Sequence, residues 1–250
     1  MRILTYILLF GFCTLNLVGV AQNFHADLAK INAKYEKVKS VSYSITLSSY
    51  MDSISGEAVD VNKIKIIQDG ETSYQKIGDF EILKTPKYSI SVNHLGKTIS
   101  YSESYNSFDP SEMDAVNTTK VLENSKVETF KKISGKSYMY MLSNEKSIAY
   151  NRAKLFFDPQ TFLIQRLEIY YRLEVEHEFS EDHIIKGKPI MIMDFENYAI
   201  GDLSTSYLLL KNRYIILKEG EYVAVNRLKG YSVFTGEVNE DLIKVANGTK

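Results

Sequence analysis

The 250-residue sequence has no tryptophan, four prolines and a single cysteine. That cysteine, Cys13, lies inside an apolar N-terminal stretch. No disulfide can form within the chain, and once the stretch is removed no thiolate metal site or cysteine nucleophile is left. Charge of one sign is also missing. The 30 Lys and Arg oppose 31 Asp and Glu, a formal net charge of −1. Such a balance gives no electrostatic footprint for nucleic acid or an anionic membrane surface. After the N-terminal stretch, no apolar run approaches the ~20 residues of a membrane-spanning helix. The longest, such as 138–142, have the length of a strand.

The motifs of several chemistries are absent as well. There is no Gly-rich phosphate loop, no Gly-x-Gly-x-x-Gly and no Gly-x-Ser-x-Gly. His177 and His183 lie among Glu176, Glu178, Glu181 and Asp182. Strand alternation turns His177 away from Glu176 and Glu178, and a six-residue separation across a turn is no standard ligand spacing. Carboxylates are plentiful but sit at alternate, exposed positions, which does not make a glycosidase pair. The expectation is a non-enzyme without metal, cofactor or catalytic residue.

The N-terminus begins Met1-Arg2, continues without charge from 3 to 20, and ends in Gly19-Val20-Ala21. A short positive region, an apolar centre and small residues before a cleavage point form a secretory signal. An uncleaved helix of ~18 apolar residues would just span a bilayer, but Asn16, Gly19 and the small end favour cleavage after Ala21. Phe12 before Cys13 departs from the small residue that a lipoprotein signal requires. Export to the periplasm is expected, with residues 22–250 as one domain, since no linker, repeat or low-complexity tract divides them.

The rest of the chain favours sheet. It holds 18 Tyr and 12 Phe, residues suited to a pleated, half-buried surface. Residues 23–39 predict a helix, with Phe24, Leu28, Ile31, Tyr35 and Val38 in one stripe and Asn23 as N-cap. The period then changes from 3.6 to 2. Val41, Tyr43, Ile45 and Leu47 alternate with Ser42, Ser44, Thr46 and Ser48, a strand with one dry face. Strands follow over 59–68, 73–77, 80–84, 88–93 and 97–102, punctuated by Asp69-Gly70, Gly78-Asp79, Pro86 and Leu95-Gly96. Asp109-Pro110-Ser111-Glu112 has the residues of a helix start, so a covering helix is predicted over 110–124. Strands resume at 138–142 and 153–157, and Asp158-Pro159-Gln160-Thr161 makes a turn. The longest strand is expected over 167–179. There Leu167, Ile169, Tyr171, Leu173, Val175, His177 and Phe179 form the dry set. Residues 189–195 are more uniformly apolar. A hairpin is expected from 207–210 and 214–217 around Lys211-Asn212-Arg213. Strands at 222–225 and 231–234 and a closing helix at 239–246 complete the reading.

About ten one-faced strands need their dry face covered, by curling around it, by helices, or around an apolar ligand. The residues assigned to such a face are Val41, Tyr43, Ile45, Leu47, Tyr88, Ile90, Val92, Leu167, Ile169, Tyr171, Leu173 and Val175.

Residues 155–171, Leu-Phe-Phe-Asp-Pro-Gln-Thr-Phe-Leu-Ile-Gln-Arg-Leu-Glu-Ile-Tyr-Tyr, resemble the Asp-Pro-x-Thr hairpin of the LolA/LolB-like superfamily of periplasmic lipoprotein carriers. The order of signal, helix, meander, helical excursion and hairpin is similar, as is the following Ile-Met-Ile-Met-Asp-Phe-Glu-Asn-Tyr at 190–198. The segment 74–101 also resembles uncharacterised exported proteins of Bacteroidetes-type bacteria. The resemblance implies an α+β, mostly antiparallel fold. It would be an incomplete, half-open β-barrel of about 10–11 strands, with an N-terminal helix and covering helices. Its concave apolar face would bind the acyl chains of lipids or lipoproteins. The alternative is a non-enzymatic interaction module with an envelope protein partner and a filled interior. The superfamily's early Pro-Gly-x-Phe-Arg stretch has no counterpart at 61–68, so no arginine is assigned to hold the helices. Mass spectrometry of the exported protein is expected to find Gln22 at its N-terminus.

Overall fold

The computed structural model describes residues 23–36, 38–103, 122–147, 149–180, 183–201 and 206–236. The export segment, the closing helix at 239–246 and all but the last three positions of the helix expected at 110–124 lie outside the described residues.

Helix α1, Phe24–Glu36, carries the predicted stripe. Asn23 caps it, its Oδ1 accepting the Ala26 N–H at 3.2 Å. Phe24, Leu28, Ile31 and Tyr35 are all buried. The strands are β1 Ser40–Met51, β2 Asp60–Asp69, β3 Thr72–Ile77, β4 Phe80–Lys84, β5 Ser89–Asn93, β6 Thr98–Ser102, β7 Lys126–Ser134 and β8 Ser137–Ser143. They continue as β9 Tyr150–Phe157, β10 Ile164–Tyr171, β11 Val175–Ser180, β12 His183–Gly187, β13 Pro189–Ile200, β14 Ile215–Lys218, β15 Glu221–Ala224 and β16 Ser232–Thr235.

Twelve strands form one sheet in the order β16-β6-β5-β4-β3-β2-β1-β13-β10-β9-β8-β7. Its end strands, β16 and β7, do not pair, so the sheet is open and not closed into a barrel. Every pairing is antiparallel except that of β16 with β6. The expected 10–11 strands undercount the described ones. β7 has no apolar alternation for a sequence reading to find, because Lys126, Glu128, Lys131 and Lys132 dominate an exposed edge.

Two expected elements are corrected. The long strand over 167–179 breaks after Tyr171. The Arg172 guanidinium turns to donate to the carbonyls of Tyr150 at 3.2 Å and Asn144 at 2.6 Å. β11 then pairs only with β12, in a separate hairpin. Leu173, 68% exposed, and Val175, 41% exposed, consequently leave the buried face. The hairpin expected around 211–213 forms further on, between β14 and β15. Glu219 and Gly220 both adopt positive φ, 55° and 88°, as a tight primed turn requires. Residues 206–209 and 211–213 are 3-10 turns instead.

The dry face changes sides along the sheet. Side chains on directly paired residues share a face. Ile64 and Ile66 of β2 pair with Ile45 and Tyr43 of β1, and all four lie in a first core beneath α1. Ile67, the next residue, points the other way. It pairs with Tyr74, Tyr74 with Leu83, Leu83 with Ile90 and Ile90 with Tyr101. That row is the floor of a second core, covered by residues 206–236 through Leu208, Tyr214, Ile215 and Leu228. Each half of the sheet is thus packed on one side, by α1 on one face and by the C-terminal segment on the other.

One buried carboxylate lies on the second face. Glu81, 4% exposed, accepts from His94 Nε2 at 2.8 Å, and His94 Nδ1 lies 2.9 Å from the Tyr231 hydroxyl. Burial acts to raise the Glu81 pKa. The His94 hydrogen bond, then the charges of Arg227, His94 and Lys76, outweigh it and hold the carboxyl below its ordinary value. A depressed carboxyl pKa stabilises the fold above the unfolded value of about 4.3. That contribution is lost as pH falls through the lower folded value. Glu81→Gln is expected to reduce the unfolding free energy by about 1–2 kcal/mol at pH 7. Urea titrations should show the gap to wild type shrinking below about pH 4.

Candidate functional site

The candidate site is the first face, between α1 and the strands β2, β1, β13, β10, β9 and β8. From β1, Val41, Tyr43 and Ile45 are buried there and Leu47 is half-buried beside them. From β10 come Leu167 and Ile169, buried, and Tyr171, half-buried. β1 and β10 do not pair with each other. β13 lies between them and aligns Leu47 and Leu167 on Met193 and Ile169 on Met191. Tyr88, Ile90 and Val92 belong to the opposite face and to the second core. Leu173, in the bend before the far hairpin, and Val175, on it, belong to neither core, since both are exposed.

Several residues of this face escape a sequence reading. Tyr140 and Leu142 on β8 are fully buried, but their neighbours Met139 and Met141 are apolar too, so no alternation marks the inward set. Phe195 on β13 is hidden in the same way, behind the apolar run of 190–193. Phe157 packs between Tyr140, stacked at 5.9 Å, and Phe162 at 6.1 Å, while Phe24 of α1 meets Tyr140 edge-on at 5.1 Å.

Polar groups within this face tie the helix down. The Tyr140 hydroxyl donates to Asp27 Oδ2 at 2.8 Å, and Lys30 stands 3.7 Å from Asp27 Oδ1. At the other end of α1, the Tyr35 and Tyr198 hydroxyls are 2.7 Å apart. Tyr35 Oη accepts the Ile164 N–H at 3.1 Å and Tyr198 Oη donates to the Ile164 carbonyl at 2.8 Å. These bonds fix the directions. Tyr35 donates to Tyr198, which donates to the backbone. Burial pushes the Tyr35 pKa up to about 12, and burial followed by the neighbouring Tyr35 raises Tyr198 further. Both hydroxyls therefore stay protonated and neutral.

The reverse face of the same strands sets ion pairs beside the buried Ile190 and Ile192 of β13. Arg166 grips Asp194 through two bonds of 2.5 and 2.9 Å. Lys154 donates to Glu168 at 2.9 Å and to Tyr170 at 2.8 Å. Burial acts to lower the Lys154 pKa, but the bonds to Tyr170 and Glu168 outweigh it and raise it. Among the described residues no group of three His, Cys, Asp or Glu could hold a metal ion. The arrangement on the first face can bury apolar groups and orient few polar ones.

Tyr35→Phe would strand the Ile164 N–H in the core and remove the acceptor for its bond. A loss of about 1–3 kcal/mol in unfolding free energy is expected. Thermal or urea unfolding, compared with Tyr50→Phe as an exterior control, measures it.

No family model matches the chain, and no curated protein matches it. Solved structures similar to it are distant in sequence. A LolA superfamily protein from Nitrosomonas europaea is 14% identical with a TM-score of 0.33, over 77% of this chain and 99% of that one. An uncharacterized conserved protein from Thermus thermophilus is 8% identical with a TM-score of 0.43, over 86% of this chain and all of that one. The Mycobacterium tuberculosis lipoprotein LppX is 11% identical with a TM-score of 0.30, over 70% of this chain and 96% of that one.

Proposed function

We propose that this is an exported, carrier-like protein that holds the acyl chains of a lipid or lipoprotein non-covalently on the first face, beneath α1. The observation that supports this reading is an open sheet whose apolar side is covered by a separate helix. Such a layer can be displaced without breaking a strand pairing. Each methylene buried would contribute about 0.8 kcal/mol. Binding would need no cofactor and no covalent step. Val41, Tyr43, Ile45, Leu47, Leu167, Ile169 and Tyr171 would form the floor, in one periplasmic domain spanning 22–250.

A second reading is a non-enzymatic interaction module of an envelope complex. The ring contacts of Phe24, Tyr140 and Phe157 beneath α1 favour it. In that case the interior would admit nothing, and a protein partner would dock outside.

Native mass spectrometry and lipid extraction of the protein from periplasm separate the two readings, together with titration by a fluorescent fatty acid. The carrier reading expects a co-purifying acyl species and saturable binding. Leu47→Asp should weaken that binding at least about tenfold, while Leu173→Asp in the bend before the far hairpin should leave it unchanged. No acyl species and no binding would leave the interaction module.

A further inference from the structure

One of the links between the cover of the second core and the sheet gathers several groups around a single cation. The Lys211 ammonium donates to the hydroxyls of Tyr101 at 2.6 Å and Tyr222 at 3.0 Å. It stands 4.0 Å from the ring centre of Tyr101, 4.3 Å from that of Tyr222 and 5.2 Å from that of Tyr88. Both hydroxyls in turn donate to Glu103 Oε1, at 3.0 and 3.3 Å. The parts come from two sides. Tyr88, Tyr101 and Glu103 lie on or beside β5 and β6. Lys211 and Tyr222 lie on the C-terminal segment. A cation held by aromatic faces and a carboxylate-linked hydroxyl pair thus links floor and cover, beside the Tyr231–His94 contact and the β16–β6 pairing.

The cover is also separable from the first core. Its buried side chains, Leu208, Tyr214, Ile215 and Leu228, all lie in the second core. Among the described residues, none of the first core's buried side chains comes from 206–236. Lifting the segment would break the cage, the contact of Tyr231 with His94 and the short pairing of β16 with β6. The α1 layer would not be touched.

We infer that residues 206–236 are a cover that opens as one unit over the second apolar face while the first core stays closed, and that the Lys211 cage is its latch. Opening would bare the row Ile67, Tyr74, Leu83 and Ile90, an apolar strip on the side of the sheet away from α1. This is independent of what the first face binds.

Amide hydrogen exchange of the full-length exported protein, followed by mass spectrometry, tests it. Lys211→Met removes the cation but keeps the stem. It should speed exchange over 207–228 by about tenfold, with β1, β10 and β13 unchanged. Lys211→Arg keeps a cation over the rings and should keep exchange slow. Tyr222→Phe keeps the ring, loses both hydroxyl bonds, and should give an intermediate acceleration. Unchanged exchange over 207–228 in both Lys211→Met and Tyr222→Phe overturns the latch. Equal acceleration in β1, β10 and β13 overturns the separate cover.

Discussion

β2 is the strand on which the rest of the architecture turns, because it must be dry on both sides. Successive side chains of a strand point to opposite faces. Ile66 therefore enters the core beneath α1 while Ile67 enters the core beneath the C-terminal segment, and both are almost completely buried. Neither core extends across the whole sheet. Toward β7 the dry side is the α1 side, and toward β16 it is the other. A twelve-stranded open sheet can then remain in water without one long apolar face. Each half has a covering layer over its main core, and behind the first core the Arg166–Asp194 and Lys154–Glu168 pairs stand beside Ile190 and Ile192.

Tyrosine serves both cores. A phenol ring buries as much apolar surface as phenylalanine, but its hydroxyl must find a partner when dry. Here most partners lie where one layer meets another. Tyr35 and Tyr198 join α1 and β13 to the start of β10. Tyr140 joins β8 to α1 through Asp27. Tyr214 bonds the Leu208 carbonyl within the C-terminal cover. Such bonds add little net free energy but penalise any packing that leaves them unmade. They select one seating of each layer on the sheet, which apolar contact alone does not.

The sequence makes some of this plain. The stripe on α1, the alternation on β1 and the Asp158 turn are local patterns, and the structure keeps them. Asp158 Oδ1 accepts the N–H groups of Gln160 at 2.7 Å and Thr161 at 3.2 Å. Alternation cannot say which side of the sheet a dry face belongs to, so Ile90 and Val92 look the same as Ile45 and Leu167. That is why the expected binding face mixes two cores. β8 and β13 are apolar on both sides of the backbone and give no inward set at all. The break after Tyr171 depends on Arg172 finding carbonyls 22 and 28 residues away, which no short window contains. The β14–β15 turn depends on Glu219 tolerating a positive φ, for which its side chain gives no signal.

The central position of β1 has a consequence for synthesis. It pairs with β2 on one side and with β13, about 140 residues later in the chain, on the other. The meander from β1 to β6 can assemble as soon as it emerges, since its contacts are local. Its β1 edge, with a row of backbone donors and acceptors and the apolar side chains of Tyr43 and Ile45, then stays uncapped until β13 arrives. An unpaired apolar edge is a template for joining another chain. The half-made sheet is thus the stage most prone to aggregation, and its safety depends on how fast the second half is delivered.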